Sequence, residues 1–364
     1  MSTPYSDLSP EHFWRSGVAE IHPSALSGVY AKKFAISRED RIATAGSCFA
    51  QHVARRLKAQ NFNVLDVEPP PFEISDEAAQ RFGYRIYSAR YGNLYSARQL
   101  LQLIRDADAG EVREEDVWEK DGRFFDALRP SVEPEGLETR EEALAHRREH
   151  LAATRKLFDE LDVLIFTLGL TEAWIRKETG TVYPTCPGVI AGAFDPKIYA
   201  FKNFEFPEVF EDMSEVARLL TARNPNFRMV VTVSPVPLTA TASGDHVLAA
   251  TTYSKSTLRA VCGSLRARHD NVDYFPSYEI VTSPASRGLL YEHNLRSVTD
   301  FGVDLVMKAF FAEHALSEPV APVAAAPQPV VDEDDDEPRR KKGKKKKRKD
   351  DLVCEEVLLE AFAR

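Results

Sequence analysis

Along the first three hundred residues the apolar positions switch repeatedly between a strand period and a helix period. A short apolar run around Ala43 ends at Gly46, and residues 48–59 then follow helical spacing, with Phe49, Val53 and Leu57 on one face. Residues 62–67 read as a second strand. Residues 96–107 and 140–161 read as helices, the second charged on its outer face. Three further runs, 163–168, 227–233 and 272–275, are strand-like; a helical stretch, 252–268, separates the last two, and another spans 298–314. Strands alternating with helices predict an α/β fold whose mostly parallel sheet is covered on both faces. In such sheets the ligand sits at the carboxyl ends of the strands.

Beyond residue 315 the pattern breaks. Residues 319–329 are rich in Pro and Ala, 332–337 are acidic and 339–349 are basic, so 316–349 is expected to be a disordered, solvated linker. In residues 350–364, Leu352, Val353, Val357, Leu358 and Phe362 fall near helical spacing, with Asp350 and Asp351 at the leading end. This predicts a short amphipathic helix that docks its stripe on its own domain or on a protein partner. The expected organisation is an extension over 1–24, an α/β domain over 25–315, the linker, and the tail helix.

Composition narrows the class. The 364 residues are 43% hydrophobic and 28% charged, ordinary for a globular protein, and the net charge of −9 argues against a nucleic-acid-binding core. No signal-peptide pattern opens the sequence, and the most apolar run, 163–170, is too short to span a bilayer, so no transmembrane segment is predicted and a cytoplasmic location is expected. The cysteines, Cys48, Cys186, Cys262 and Cys354, show no CxxC spacing; neither a disulfide framework nor a zinc site is indicated.

Polar clusters follow three predicted strands: Gly46-Ser47-Cys48, then Gly169 with Thr171 and Glu172, then the Thr232-Val-Ser-Pro-Val-Pro237 run. The first places two nucleophile-capable side chains where a strand turns into a helix, whose first amides favour an oxyanion. His293 precedes the last core helix and is a candidate general base. His246, after the third cluster, is a second candidate for contacting substrate. Arg90, Tyr95, Arg129, Trp174 and Lys255 suit the rim of a polar ligand site.

Gly46-Ser-Cys-Phe-Ala50 resembles the naming motif of the GSCFA domain family, and Thr167-Leu-Gly-Leu-Thr-Glu-Ala-Trp174, Thr232-Val-Ser-Pro-Val-Pro237, Tyr253-Ser-Lys-Ser256 and Tyr274-Phe-Pro-Ser-Tyr-Glu279 resemble its other blocks. The resemblance covers about residues 25–315. It implies a branch of the SGNH/GDSL hydrolase superfamily, with a flavodoxin-like three-layer α/β/α sandwich that hydrolyses or transfers acyl esters, often on carbohydrates.

Carried over residue by residue, the resemblance puts Cys48 at the nucleophile position, or Ser47 if the alignment slips by one. A catalytic Cys48 is expected to have a depressed pKa. The superfamily's Gly-x-Asn-Asp block reads Gly169-Leu170-Thr171-Glu172 here, so the side-chain amide donor is replaced, with Thr171, Gly92 and Asn93 as candidates for the oxyanion. Its Asp-x-x-His block has Leu290 at the acidic position, leaving Glu292, Glu172 or a carbonyl to orient His293. The implied activity is hydrolysis or transfer of an acyl group, acetyl being the first expectation, on a small-molecule or glycan ester such as a surface-polysaccharide precursor, without metal or organic cofactor. The alternative is a catalytically inactive module that binds carbohydrate or protein, tethered to a partner by its tail.

Overall fold

The computed structural model describes residues 3–314 and 354–362. Four strands, β1 (Ile42–Gly46), β4 (Val163–Leu168), β8 (Arg228–Val233) and β9 (Val272–Tyr274), form a parallel sheet in the order β1-β4-β8-β9. The central pair, β4 and β8, are long apolar runs, as expected for strands buried on both faces. Alternation along them divides the core. Ile42, Val163, Ile165 and Val230 face one cluster, whereas Ala43, Ala45, Leu164, Phe166, Met229 and Val231 face another.

Helices cover both faces. On one side α1 (Phe49–Ala59) and α8 (Asp300–His314) pack with α7 (Ser277–Thr282); on the other lie α3 (Ala97–Ala109), α5 (Phe206–Arg223) and α6 (Val247–Arg268). The start of α3 is fixed by a reciprocal Ser96–Gln99 capping box and its end by Gly110 in the left-handed region. A short α2 (Asp76–Arg81) precedes it, and α4 (Arg140–Glu160) packs on α3.

Several expectations need correction. Residues 62–67 make no strand; Val64 contributes only an isolated parallel bridge to Ile42, although the backbone of 63 and 65 still pairs with that residue. The helix expected from 252 begins five residues earlier, at Val247. Two antiparallel pieces were unanticipated: the hairpin β2 (Val117–Lys120) with β3 (Arg123–Asp126), and a three-stranded sheet in the order β6 (Val182–Tyr183), β5 (Glu172–Arg176), β7 (Tyr199–Asn203). Helix α5 was also unanticipated.

The expected linker, and residues 350–353 of the expected tail helix, lie outside the described residues. The described tail is a 3-10 stretch, Glu355–Phe362, and it does not dock by its apolar stripe: Val357, Leu358 and Phe362 are exposed, while Glu355 is buried. Its polar leading edge instead finds hydrogen-bond partners in the body of the protein. Among the described residues no helix is long and apolar enough to cross a membrane.

Candidate functional site at the carboxyl ends of β1 and β4

The chain leaves β1 toward the Val64 edge and leaves β4 toward β8, so the order reverses between β1 and β4. A crevice at the carboxyl ends of such neighbours is the usual ligand position in an open parallel sheet. Gly46, the last residue of β1, pairs with Thr167 and has φ +138°; a Cβ there would lie 2.4 Å from the Thr167 carbonyl oxygen. Only glycine permits this approach. Ser47 then donates its amide to the Thr167 carbonyl at 3.0 Å, and Cys48 starts α1.

The structure brings Ser47, Cys48, Asn93, Tyr95, Gly169 and Lys255 together. Both Gly169 and Leu170 donate their amides to the Tyr95 carbonyl, and a Cβ on Gly169 would press the Ser47 Cβ at 2.9 Å. Fully buried Lys255, from α6, donates its Nζ to the Gly169 carbonyl. Burial pulls this ammonium down to about 8, against the charge of Glu356 and the pull of Cys48.

Asn93 is held in one orientation. Its Oδ1 lies 2.5 Å from the Tyr87 hydroxyl and 3.4 Å from Gln51 Nε2, so two donors claim the oxygen and the amide nitrogen is turned outward. Tyr87 also reaches the Ser47 carbonyl at 3.1 Å, linking this orientation to the strand-to-helix turn after β1.

The tail occupies the crevice. Asn93 Nδ2 and the Tyr95 hydroxyl, the latter at 2.7 Å, both donate to Glu355 Oε2, while the Ser131 hydroxyl donates to Oε1. Gly92, in the left-handed region, leaves room beside this carboxylate, its notional Cβ falling 3.6 Å from Oε1. Arg296 donates to Glu356 at 2.9 Å and lies 3.8 Å from the Cys354 sulfur. The remaining space between Ser47, Cys48, Tyr95, Leu238 and Glu356 is about 10 Å³, roughly one water.

Cys48 departs from expectation. Its hydrogen bond to Cys354 and then its burial push the thiol up rather than down. Cys354 moves the other way, because it accepts that bond and faces the Arg296 guanidinium. Seated, the tail therefore keeps the proton on Cys48. Ser47 Oγ is buried and, among the described residues, has no hydrogen-bond partner, so no described group is placed to take its proton.

Other predicted residues are exposed or engaged in contacts of their own. The His293 ring is exposed, and none of the contacts described joins it to Cys48. His246 is exposed and caps α6 through Nδ1 to the Leu248 amide. Thr171 is fully buried and spends its hydroxyl proton on Asn203 at 2.6 Å, while its amide donates to Ser254. Glu172 opens β5 and accepts from Thr241 at 2.7 Å, with burial raising its carboxyl. Trp174 sits edge-on to Phe194 and Phe201 along an apolar groove of about 470 Å³. Arg90 bonds Glu133 and the Phe82 carbonyl.

Ser131 was missed, and so was the contribution of the tail. Ser131 is placed by a buried network in which Arg129 bonds Asp126 at 2.8 Å and the Arg90 carbonyl, and Arg147 bonds Asp106. The Arg147 and Arg129 charges outweigh burial and hold the Asp126 carboxyl below its usual range. The segment 111–138 is thus a pinned part of the wall. Among the described residues no group of His, Cys, Asp and Glu is arranged to hold a metal ion.

No curated protein and no solved structure matches the chain. The GSCFA family model matches residues 41–310, from the residue before β1 into α8 and across every wall of the crevice except the tail, and the chain belongs to the GSCFA family.

Proposed function

We propose that the crevice is an acyl-transfer site in which Cys48 is the nucleophile and Asn93 and Tyr95 hold the oxyanion. One observation carries the reading: two donors from separate residues, one an amide locked by Tyr87 and Gln51, converge on a single anionic oxygen beside the strand-to-helix turn that bears Cys48. That is the arrangement a tetrahedral oxyanion needs, and a single such donor is typically worth about 10²–10³ in rate. The strand order, extended by the Val64 bridge at the β1 edge, supports a flavodoxin-like, SGNH-type architecture for the same reading.

In the proposed reaction the Cys48 sulfur attacks an ester carbonyl, and the developing oxyanion accepts from Asn93 Nδ2 and the Tyr95 hydroxyl. Lys255, pulled down to about 8, takes the thiol proton when neutral and returns it to the departing alkoxide. Water or an acceptor hydroxyl then takes the acyl group from the thioester. Lys255 replaces His293 in the role of base because it is the buried amine that interacts electrostatically with Cys48. The substrate class is an acyl ester, with an acetylated carbohydrate as the first to test.

A second reading, a binding module without turnover, is favoured by the proton held on Cys48 and by the carboxylate already filling the donors. Trapping separates the two. After incubation with a chromogenic acetyl ester and acid quench, peptide mass mapping finds acetyl on Cys48 if the first reading holds; an unmodified Cys48 in a chain whose tail contacts have been weakened supports the second.

A further inference from the structure

The tail places Cys354, Glu355 and Glu356 in the crevice at the carboxyl ends of β1 and β4. Glu355 is buried, and its carboxylate receives three hydrogen bonds, from Asn93, Tyr95 and Ser131, which belong to the segment before α3 and to the loop after β3. Glu356 pairs with Arg296, from the loop before α8. Cys354 packs with the cluster that contains Cys48, its sulfur 3.8 Å from the Tyr95 hydroxyl. Farther along, Leu359 and Phe362 border the apolar groove beside Trp174 and Leu238. Three consecutive polar side chains thus meet complementary groups from three separate parts of the chain, followed by an apolar border. This is how a peptide ligand is recognised: charge-assisted bonds fix the register and an apolar edge extends the contact.

We propose that the crevice is a binding site for an acidic peptide, that residues 354–362 are its ligand in cis, and that substrate enters only when this segment leaves. The proposal rests on the functional reading only for the word substrate; the binding itself is independent of any turnover. Glu355 Oε2 stands on the same two donors that the oxyanion would use, so segment and transition state exclude one another. Thirty-nine residues separate His314 from Cys354 in the chain. Such an intramolecular ligand holds its site at an effective concentration far above that of a free peptide, yet remains displaceable.

The test uses the full chain and reads alkylation of Cys48 by iodoacetamide, followed by peptide mass mapping. In the wild type Cys48 labels slowly. Reversing both charges, Glu355→Lys with Glu356→Lys, removes the acceptors and faces Arg296 with a like charge, so Cys48 labelling accelerates about tenfold or more, the scale of one lost charge-assisted bond. Fully buried Cys262 stays unlabelled and reports that the domain is folded. Adding a synthetic peptide of residues 354–362 carrying Cys354→Ser restores protection of Cys48 in that variant, and the same peptide with both glutamates reversed does not.

Ser131→Ala weakens the same carboxylate from the opposite side without touching the tail and accelerates labelling in the same direction. It decides the matter if the double reversal also exposes Cys262. Unchanged Cys48 labelling in both variants, or no protection from the Cys354→Ser peptide with both glutamates intact, overturns the proposal. Because no step requires ester turnover, an absence of acyl-transfer activity leaves this result standing, and failure here leaves the acyl-trapping result standing.

Discussion

Gly46→Ala is the substitution for which the structure gives the sharpest arithmetic. The added methyl meets the Thr167 carbonyl oxygen at 2.4 Å, its nitrogen at 2.7 Å and its carbonyl carbon at 2.9 Å, all backbone atoms. Those atoms cannot retreat cheaply, because β4 pairs with β1 on one side and with β8 on the other. The φ of +138° adds a conformational penalty of about 1–3 kcal/mol, and overpacking a rigid site costs about 1–3 kcal/mol more. The expected loss is therefore about 2–6 kcal/mol, a large part of the 5–15 kcal/mol typical of a domain. Urea unfolding followed by tryptophan fluorescence, with the slope compared between variants, measures it. Ala45→Gly, one residue earlier, is the control for a change of similar size without the clash. A loss below about 1 kcal/mol for Gly46→Ala at an unchanged slope refutes the reasoning, since it means that the β1–β4 register relaxes where the structure holds it closed.

Tyr87→Phe removes the nearer donor to Asn93 Oδ1 and leaves the 3.4 Å contact from Gln51, so the amide gains freedom to flip. Unfolding free energy falls by about 1–3 kcal/mol, and in a chain freed of its tail contacts kcat for ester cleavage falls about tenfold with KM unchanged; equal loss in KM speaks for a merely structural tyrosine. Acid sensitivity comes from two buried rings. Burial first, aided by Arg129 at His150 and Lys32 at His314, lowers both to about 4, against the usual 6.5. Each ring stays neutral in the fold while the unfolded chain takes up its proton below 6.5, so stability is present above that pH and is lost as pH falls toward 4. That amounts to about 2 kcal/mol per ring between pH 7 and pH 5, and unfolding curves at the two values check it.

Much of the scaffold was readable because its determinants are local. Strands β4 and β8 are apolar runs buried on both faces, and α4 and α3 carry their own caps at Thr139 and Ser96. Helix α5 escaped the sequence reading although its start carries a local signal, a capping box of Glu205 and Glu208 around Pro207 in the first turn. The small sheet was not readable, since β6 has two residues and β5 is stabilised by partners far along the chain. Ser47, Cys48 and Gly169, which the structure brings together, were legible because they follow the ends of β1 and β4, and Asn93 as a side-chain amide able to replace the missing donor. Thr171 was misassigned because its sequence neighbourhood cannot reveal that Asn203 takes its proton. Ser131 and Glu355 were invisible for the same reason: 224 positions separate them, and only folding brings them together.

The most direct test of the central claim is turnover of a chromogenic acetyl ester by the full chain carrying Glu355→Lys and Glu356→Lys, alone and combined with Cys48→Ala, Ser47→Ala or Lys255→Met. Hydrolysis above the wild-type rate that disappears with Cys48→Ala, survives Ser47→Ala and drops steeply with Lys255→Met is the predicted result. No hydrolysis in the tail variant, or hydrolysis indifferent to Cys48→Ala, contradicts the account.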